Sequence, residues 1–208
     1  MTPESKEALV EEFRRESILA AAMRVIARRG PQAATMQSIA DEAGVAKGTI
    51  YLYYQDRTEL MERAAAFAVT GLLKELEAEA LVDRPLSEQL RALLRIQIAF
   101  FDKHQEFLRV SMSMRNPESD CATSARRGKG NRPEYRRYQE LLARLLERAM
   151  ERGEARKMDA SRVALFLAEG LSALLLRRLT DPGPAAEKDV EWIADLVLAG
   201  ISNERRKR

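Results

Sequence analysis

Lys47, Gly48 and Thr49 stand together at the head of a short segment that continues Ile50-Tyr51-Leu52-Tyr53-Tyr54. A cation, a bare stretch of backbone and a hydroxyl at one helix start suit close approach to a phosphate-rich surface. Tyr51, Tyr53 and Tyr54 add flat bodies for packing and hydroxyls for phosphate oxygens. Tyr54 equally suits the seal of a small core, and both roles stand open for it. The chemistry on offer is recognition of a polyanion. Catalysis has little to work with. His104 is the one histidine and Cys121 the one cysteine, so no paired Cys/His metal spacing exists. There is neither a Gly-rich phosphate loop nor a nucleophile elbow, and the carboxylates lie on polar helix faces. The expectation is a non-enzyme with no cofactor and no metal.

The elements that would position these residues can be read from the flanking sequence. Thr35 is placed to cap a short helix whose apolar positions are Met36, Ile39, Ala40 and Ala43. Gly44 stops that helix, because glycine tolerates the left-handed conformation just past a helix end. Val45 supplies an apolar plug in the turn. A second short helix follows from about Lys47, with Ile50 inward and Lys47, Thr49, Tyr51 and Tyr53 outward. Two short helices about a glycine-bearing turn make a helix-turn-helix, whose second helix enters the major groove. Upstream, Thr2-Pro3-Glu4 opens a long helix with Leu9, Phe13, Ala20, Met23 and Ile26-Ala27 at helical spacing, stopped by Arg28-Arg29-Gly30 and Pro31. Downstream, Asp56 with Glu59 three residues on reads as a capping box. It starts a helix that carries Leu60, Ala64, Phe67, Ala68 and Leu72 on one stripe to about Ala80, with Gly71 inside it as a site of close packing or a bend.

The stretch from Thr35 to Leu60 resembles the DNA-binding domain of the TetR family of bacterial transcriptional regulators. The resemblance rests on Thr35, Ile39-Ala40, Ala43-Gly44-Val45, Lys47-Gly48-Thr49-Ile50-Tyr51, Tyr53-Tyr54, Asp56 and Leu60. It extends upstream over Ile18 to Ala22 and Arg28-Arg29-Gly30, about the first third of the chain. Ala46 stands where the family usually has Ser or Thr, so one side-chain cap and phosphate contact is missing. Tyr53-Tyr54 stand where it often has His-Phe. The resemblance implies a DNA-contacting set of Thr35, Gln37, Ala46, Lys47, Gly48, Thr49, Tyr51, Tyr53, Tyr54 and Arg57. It also implies a second helical domain that binds a small molecule and dimerises through its last two helices.

With 208 residues, 46% hydrophobic and 32% charged, the chain can build one small and one larger helical domain. Its net charge of +3 would not by itself announce nucleic-acid binding. Between Ser17 and Arg57 the basic residues outnumber the acidic ones. Residues 1–16 are acidic on balance, a poor minor-groove arm. The start is polar rather than a secretory signal, and no apolar run reaches the ~18 residues of a membrane span. A cytoplasmic protein is expected.

After a break at Asp83-Arg84-Pro85, a helix is expected from about Leu86 through Leu90, Leu93, Leu94, Gln97, Phe100 and Phe101. A corner is expected at His104-Gln105-Glu106, then a shorter helix from Phe107 to Met114. Residues 115–133 lose all periodicity and read as a basic loop, with Cys121 an exposed thiol within it. Helical spacing returns at Glu134 with Tyr135, Tyr138, Leu141, Leu142, Leu145 and Leu146, to a stop at Gly153. The next helix, from Asp159 to about Leu179, is apolar almost all round between Val163 and Leu176, which predicts burial on every side with one side against a second protomer. A turn at 180–185 and a last helix with Val190, Ile193, Leu196, Val197 and Ile201 inward complete the chain. Trp192 is expected to pack on the preceding helix or its dimer mate.

The sequence thus predicts an all-α homodimer. Residues 1–55 form a helix-turn-helix DNA-binding domain. Residues 56–208 form a ligand-binding and dimerisation domain that a helix over 56–80 joins to the first. Phe100, Phe101, His104, Phe107, Met112, Tyr138, Leu142 and Phe166 are candidates for an apolar or amphipathic effector site. His104 alternatively ends a helix by bonding to backbone. The expected partners are a palindromic duplex operator and an unidentified small-molecule effector, with no membrane. Two other classes remain: an architectural DNA-binding protein without effector, and a helical ligand-binding protein without operator specificity.

Overall fold

The computed structural model describes residues 3–113, 133–180 and 186–202, and these are helical almost throughout. The order is α1 (Pro3–Arg29), a 3-10 turn (Pro31–Ala33), α2 (Met36–Ala43), α3 (Lys47–Tyr51), α4 (Arg57–Ala80), α5 (Leu86–Ser113), α6 (Pro133–Glu151), α7 (Ala160–Thr180) and α8 (Ala186–Ile201). Among the described residues the extended structure is a single antiparallel bridge between Ala155 and Ser202. The cap at Thr2, most of the 115–133 stretch with Cys121, and the 181–185 turn lie outside the described residues.

The chain divides into two compact units, residues 1–69 with 104–119 and residues 70–103 with 120–208. In the first, α1 packs on α2 and α2 on α3. The buried face of α1 is Ile18, Leu19, Ala21, Ala22, Val25 and Ile26. This corrects the expected stripe: Leu9 is 59% and Phe13 73% exposed, because α1 runs on past the short helices available to cover it. The predicted capping box at α4 takes a shifted form. The Glu59 N–H donates to Asp56 Oδ1 at 2.8 Å, while the Glu59 carboxylate accepts from the Gln55 N–H at 2.8 Å, one residue before the expected donor.

In the second unit, Leu72, Leu76, Leu93, Leu141, Leu142, Leu145, Leu146, Ala164 and Ala168 form the centre of one apolar cluster, and Leu90, Leu94, Ile98, Leu175, Val190 and Ile193 form another. Arg91 and Arg95 on α5 pair with Glu191, Asp195 and Glu187 on α8, and Arg178 on α7 joins Asp102 to Asp189. The expected corner at His104-Gln105-Glu106 is absent. α5 runs unbroken through it, because no Pro or Gly interrupts 86–113 and those three residues are ordinary helix formers. At Gly71 a Cβ would meet nothing within 4 Å and α4 runs on unbroken, so close packing is not its reason. α7 is not buried all round: Leu165 is 49%, Phe166 76% and Leu174 36% exposed. Leu196, expected inward on α8, is 61% exposed, and Trp192 is 56% exposed.

Candidate nucleic-acid interface

The helix-turn-helix is fixed by its two ends. At the start of α2 the Thr35 hydroxyl accepts the Ser38 N–H at 3.1 Å, and Ser38 Oγ accepts the Thr35 N–H at 3.0 Å. Two orphan donors are satisfied reciprocally, with Ser in the place where Glu or Gln is commoner. At its end Gly44 sits at φ 69°, its N–H bonding to Asp41 O and the Val45 N–H to Ala40 O. That double bond is the Schellman arrangement, and it turns the chain sharply into α3. Ile39, Ala40 and Ile50 are wholly buried between the helices. Glu42 binds α2 to α1, accepting from Arg24 at 2.8 Å and Arg28 at 2.5 Å. Its carboxyl is held below the usual range, first by the Arg24 hydrogen bond and then by the charge of Arg28.

α3 starts at Ala46, which makes no side-chain cap, as the missing hydroxyl implies. Lys47, Gly48 and Tyr51 are exposed and Thr49 and Tyr53 are half-buried. The Lys47 ammonium lies 6.0 Å from the Tyr51 ring centre, and the Arg15 guanidinium 5.4 Å from that of Tyr53. The outer face of the domain is thus two cation–aromatic pairs beside a bare glycine. Thr35 and Gln37 are exposed at the head of α2, with the Gln37 amide donating to Asp41 at 2.8 Å.

Two expected contacts turn inward. Tyr54 is 5% exposed, so its DNA-facing role is corrected to that of a core seal. Its hydroxyl donates to Arg15 O at 3.4 Å, and burial pushes its ionisation up. Arg57 Nε donates to Ala34 O at 2.8 Å and so ties the start of α4 to the head of α2. Leu52, absent from the expected set, is 81% exposed directly after α3. A leucine carries no charge or hydrogen-bonding group, so its type does not mark it as a contact to a polyanion.

The effector candidates are not gathered in one place. Phe100, Tyr138 and Leu142 belong to one apolar cluster and Phe101 packs on the other, with the two phenylalanine rings edge-on at 5.9 Å. Tyr138, half-buried, donates to Gln97 Oε1 at 2.8 Å, and the amide of the buried Gln97 donates to Leu93 O at 3.2 Å, a polar chain amid apolar side chains. Burial raises the Tyr138 ionisation. His104 and Phe107 lie in the other unit, and the Met112 side chain lies outside the described residues. Phe166 is 76% exposed and lines no interior, which corrects its assignment. An open groove of about 440 Å³ between α4 and α6 is lined by Glu77, Leu81, Leu141, Arg144 and Arg148 and contains none of the eight. Among the described residues no group of three or more His, Cys, Asp or Glu side chains could hold a metal ion.

Residues 18–64 match the family model for bacterial regulatory proteins of the tetR family. The HTH-type transcriptional regulator YerO of Bacillus subtilis (strain 168) is 30% identical over 98 residues, 46% of this chain and 34% of its own; the chain thus spans about a third of that relative's length. The nicotine-responsive transcriptional repressor HdnoR of Paenarthrobacter nicotinovorans is 25% identical over 193 residues, 85% of this chain and 89% of its own. In fold, the SmeT–triclosan complex superposes with a TM-score of 0.61 at 21% identity, covering 91% of each chain.

Proposed function

Because the chain belongs to the TetR family of bacterial regulatory proteins, we propose that it is a ligand-responsive transcriptional repressor, which binds a partly palindromic duplex as a homodimer and leaves it when a small apolar or amphipathic effector binds. The observation that carries the DNA half is the outer face of α3: Lys47, Gly48 and Tyr51 exposed beside Thr49 and Tyr53, on a helix whose Ile50 is wholly buried. That face offers charge, hydroxyls and bare backbone to a groove. The effector half is supported by relatives: one is named for its nicotine response and a fold neighbour was solved with triclosan. In this chain the apolar surroundings of Gln97 and Tyr138 offer the matching chemistry, an apolar site with a polar handle. A repressor of this kind works in the cytoplasm, and among the described residues no helix is long and apolar enough to cross a membrane.

The DNA half is tested by selecting duplexes from a random pool with the full chain and titrating the best one at several salt concentrations. Lys47→Ala is expected to weaken every duplex and to lower the slope of log affinity against log salt by about one unit, as for one lost phosphate contact. Unchanged binding by the double variant Lys47→Ala, Tyr53→Ala would remove this face from the interface.

A further inference from the structure

Leu52 is 81% exposed at the end of the helix that Lys47 begins. Its backbone is ordinary right-handed helix, φ −71° and ψ −23°, so its side chain continues the helical rotation of α3. Each residue turns the helix by about 100°. Two residues beyond the buried Ile50, Leu52 therefore points about 200° from the core direction, nearly straight away from it. Gly48 falls on the same outer line one turn earlier. The midline of the outward face is thus bare backbone followed by an isobutyl group. By the same rotation Lys47 and Tyr51 flank it on one side, and Thr49 and Tyr53 on the other.

Phosphate oxygens offer nothing to an isobutyl group. Among the base edges of the major groove, the apolar feature is the C5-methyl of thymine. We propose, building on the DNA-binding reading, that Leu52 is a specificity-determining residue that selects thymine in each operator half-site by packing on its methyl group. The polar residues on either side hold the helix to the backbone, and Gly48 lets it approach closely enough for a side chain as short as leucine to reach the base edges. Deletion of one methyl from such a contact costs about 3–5-fold in affinity, the size expected for one methyl group returned to water.

The test uses the best duplex selected by the full chain. Each dT is replaced in turn by dU, which removes the methyl and leaves the hydrogen-bonding edge intact. The wild type should lose about 3–5-fold at one or two symmetry-related positions, and Leu52→Ala should bind the dT and dU duplexes there alike. Leu52→Ala should keep its helical circular dichroism and melting temperature, since the side chain is exposed. Tight binding to a selected duplex that is indifferent to every dU, or that holds no thymine, overturns the assignment of Leu52 and leaves the DNA-binding reading standing. Equal dU losses in wild type and Leu52→Ala overturn it likewise. Failure to select any duplex overturns the DNA-binding reading itself, and this proposal with it.

Discussion

Glu42 adds a polar tie between α2 and α1 to their apolar packing, since it accepts from both Arg24 and Arg28. Its carboxyl ionises below the ordinary value of 4.5 because those two guanidinium groups favour the charged form. The folded pKa is depressed, so the stabilisation is present above the unfolded value and is lost as pH falls through the folded one. Glu42→Gln should therefore lower the melting temperature near neutral pH, with the gap to wild type narrowing below about pH 4.5; thermal unfolding followed at a series of pH values shows it. A gap that does not change with pH would mean that the carboxylate charge is not what matters. The pair is only partly shielded, and the effect should shrink in high salt. Residue roles of this kind were only partly legible in the sequence. Lys47, Thr49 and Tyr51 were marked by their types, and Ile50 by its apolarity within a polar helix. Tyr54 was ambiguous because its burial depends on α1, whose Arg15 carbonyl receives the hydroxyl from 39 residues away. The exposure of Leu52 is not legible in its type, because it follows from the rotation of the helix about Ile50.

The elements were read most accurately where a local signal decides the outcome. Thr35, Gly44 and Gly153 each end a helix through hydrogen bonds to residues within one turn, and the structure shows those bonds. A weaker local signal is overridden by the helix around it. His104-Gln105-Glu106 suggests a corner that propensity does not support, and the stripe through Leu9 and Phe13 on α1 names residues that lie mostly exposed. Two glycines of the helix-turn-helix give a test at this scale, because they serve different ends. Gly44 adopts φ 69°, so Gly44→Ala should destabilise the domain by about 1–2 kcal/mol through backbone strain, although a Cβ would meet nothing within 4 Å. Gly48 has ordinary helical geometry and equally open space around it. Gly48→Ala should leave the melting temperature unchanged or raise it, in line with a helix propensity gain of up to about 1 kcal/mol. It should nonetheless weaken operator binding if the bare backbone is what approaches the groove. A Gly48→Ala variant with full affinity would show that this glycine carries no DNA contact.

At the scale of the whole molecule, the all-round apolar run of α7 was visible in the sequence, but periodicity cannot distinguish a residue that faces its own core from one that faces a second copy. The structure shows which of them face their own core. Ala164, Ala168, Leu175 and Leu179 of α7 are buried, as are Val190, Ile193, Ala194 and Ile201 of α8. The opposite side of α7 carries Phe166 and Leu174 with the exposed Gly170 between them, at successive turns. α8 likewise carries Trp192 and Leu196 one turn apart and exposed. Each helix thus has a second apolar face, with Gly170 small enough to let another helix come near. A two-fold axis would pair the same two helices from each copy into a four-helix packing, and every residue would contribute twice. Phe166 and Trp192 would be its large anchors, each worth about 1.5–3 kcal/mol on burial. Because the axis duplicates any change, Phe166→Glu would bring two like charges into an apolar contact, which costs several kcal/mol. The variant should keep its helical circular dichroism, since Phe166 is 76% exposed and supports no core of its own chain. By light scattering it should have the mass of one chain, 23.5 kDa, where the wild type has twice that. Its affinity for a palindromic duplex should fall far more than its affinity for a single half-site, because the two DNA-binding domains would no longer be linked. A wild type that is monomeric at every concentration, or a Phe166→Glu variant that remains a dimer, would remove this face as the dimer contact.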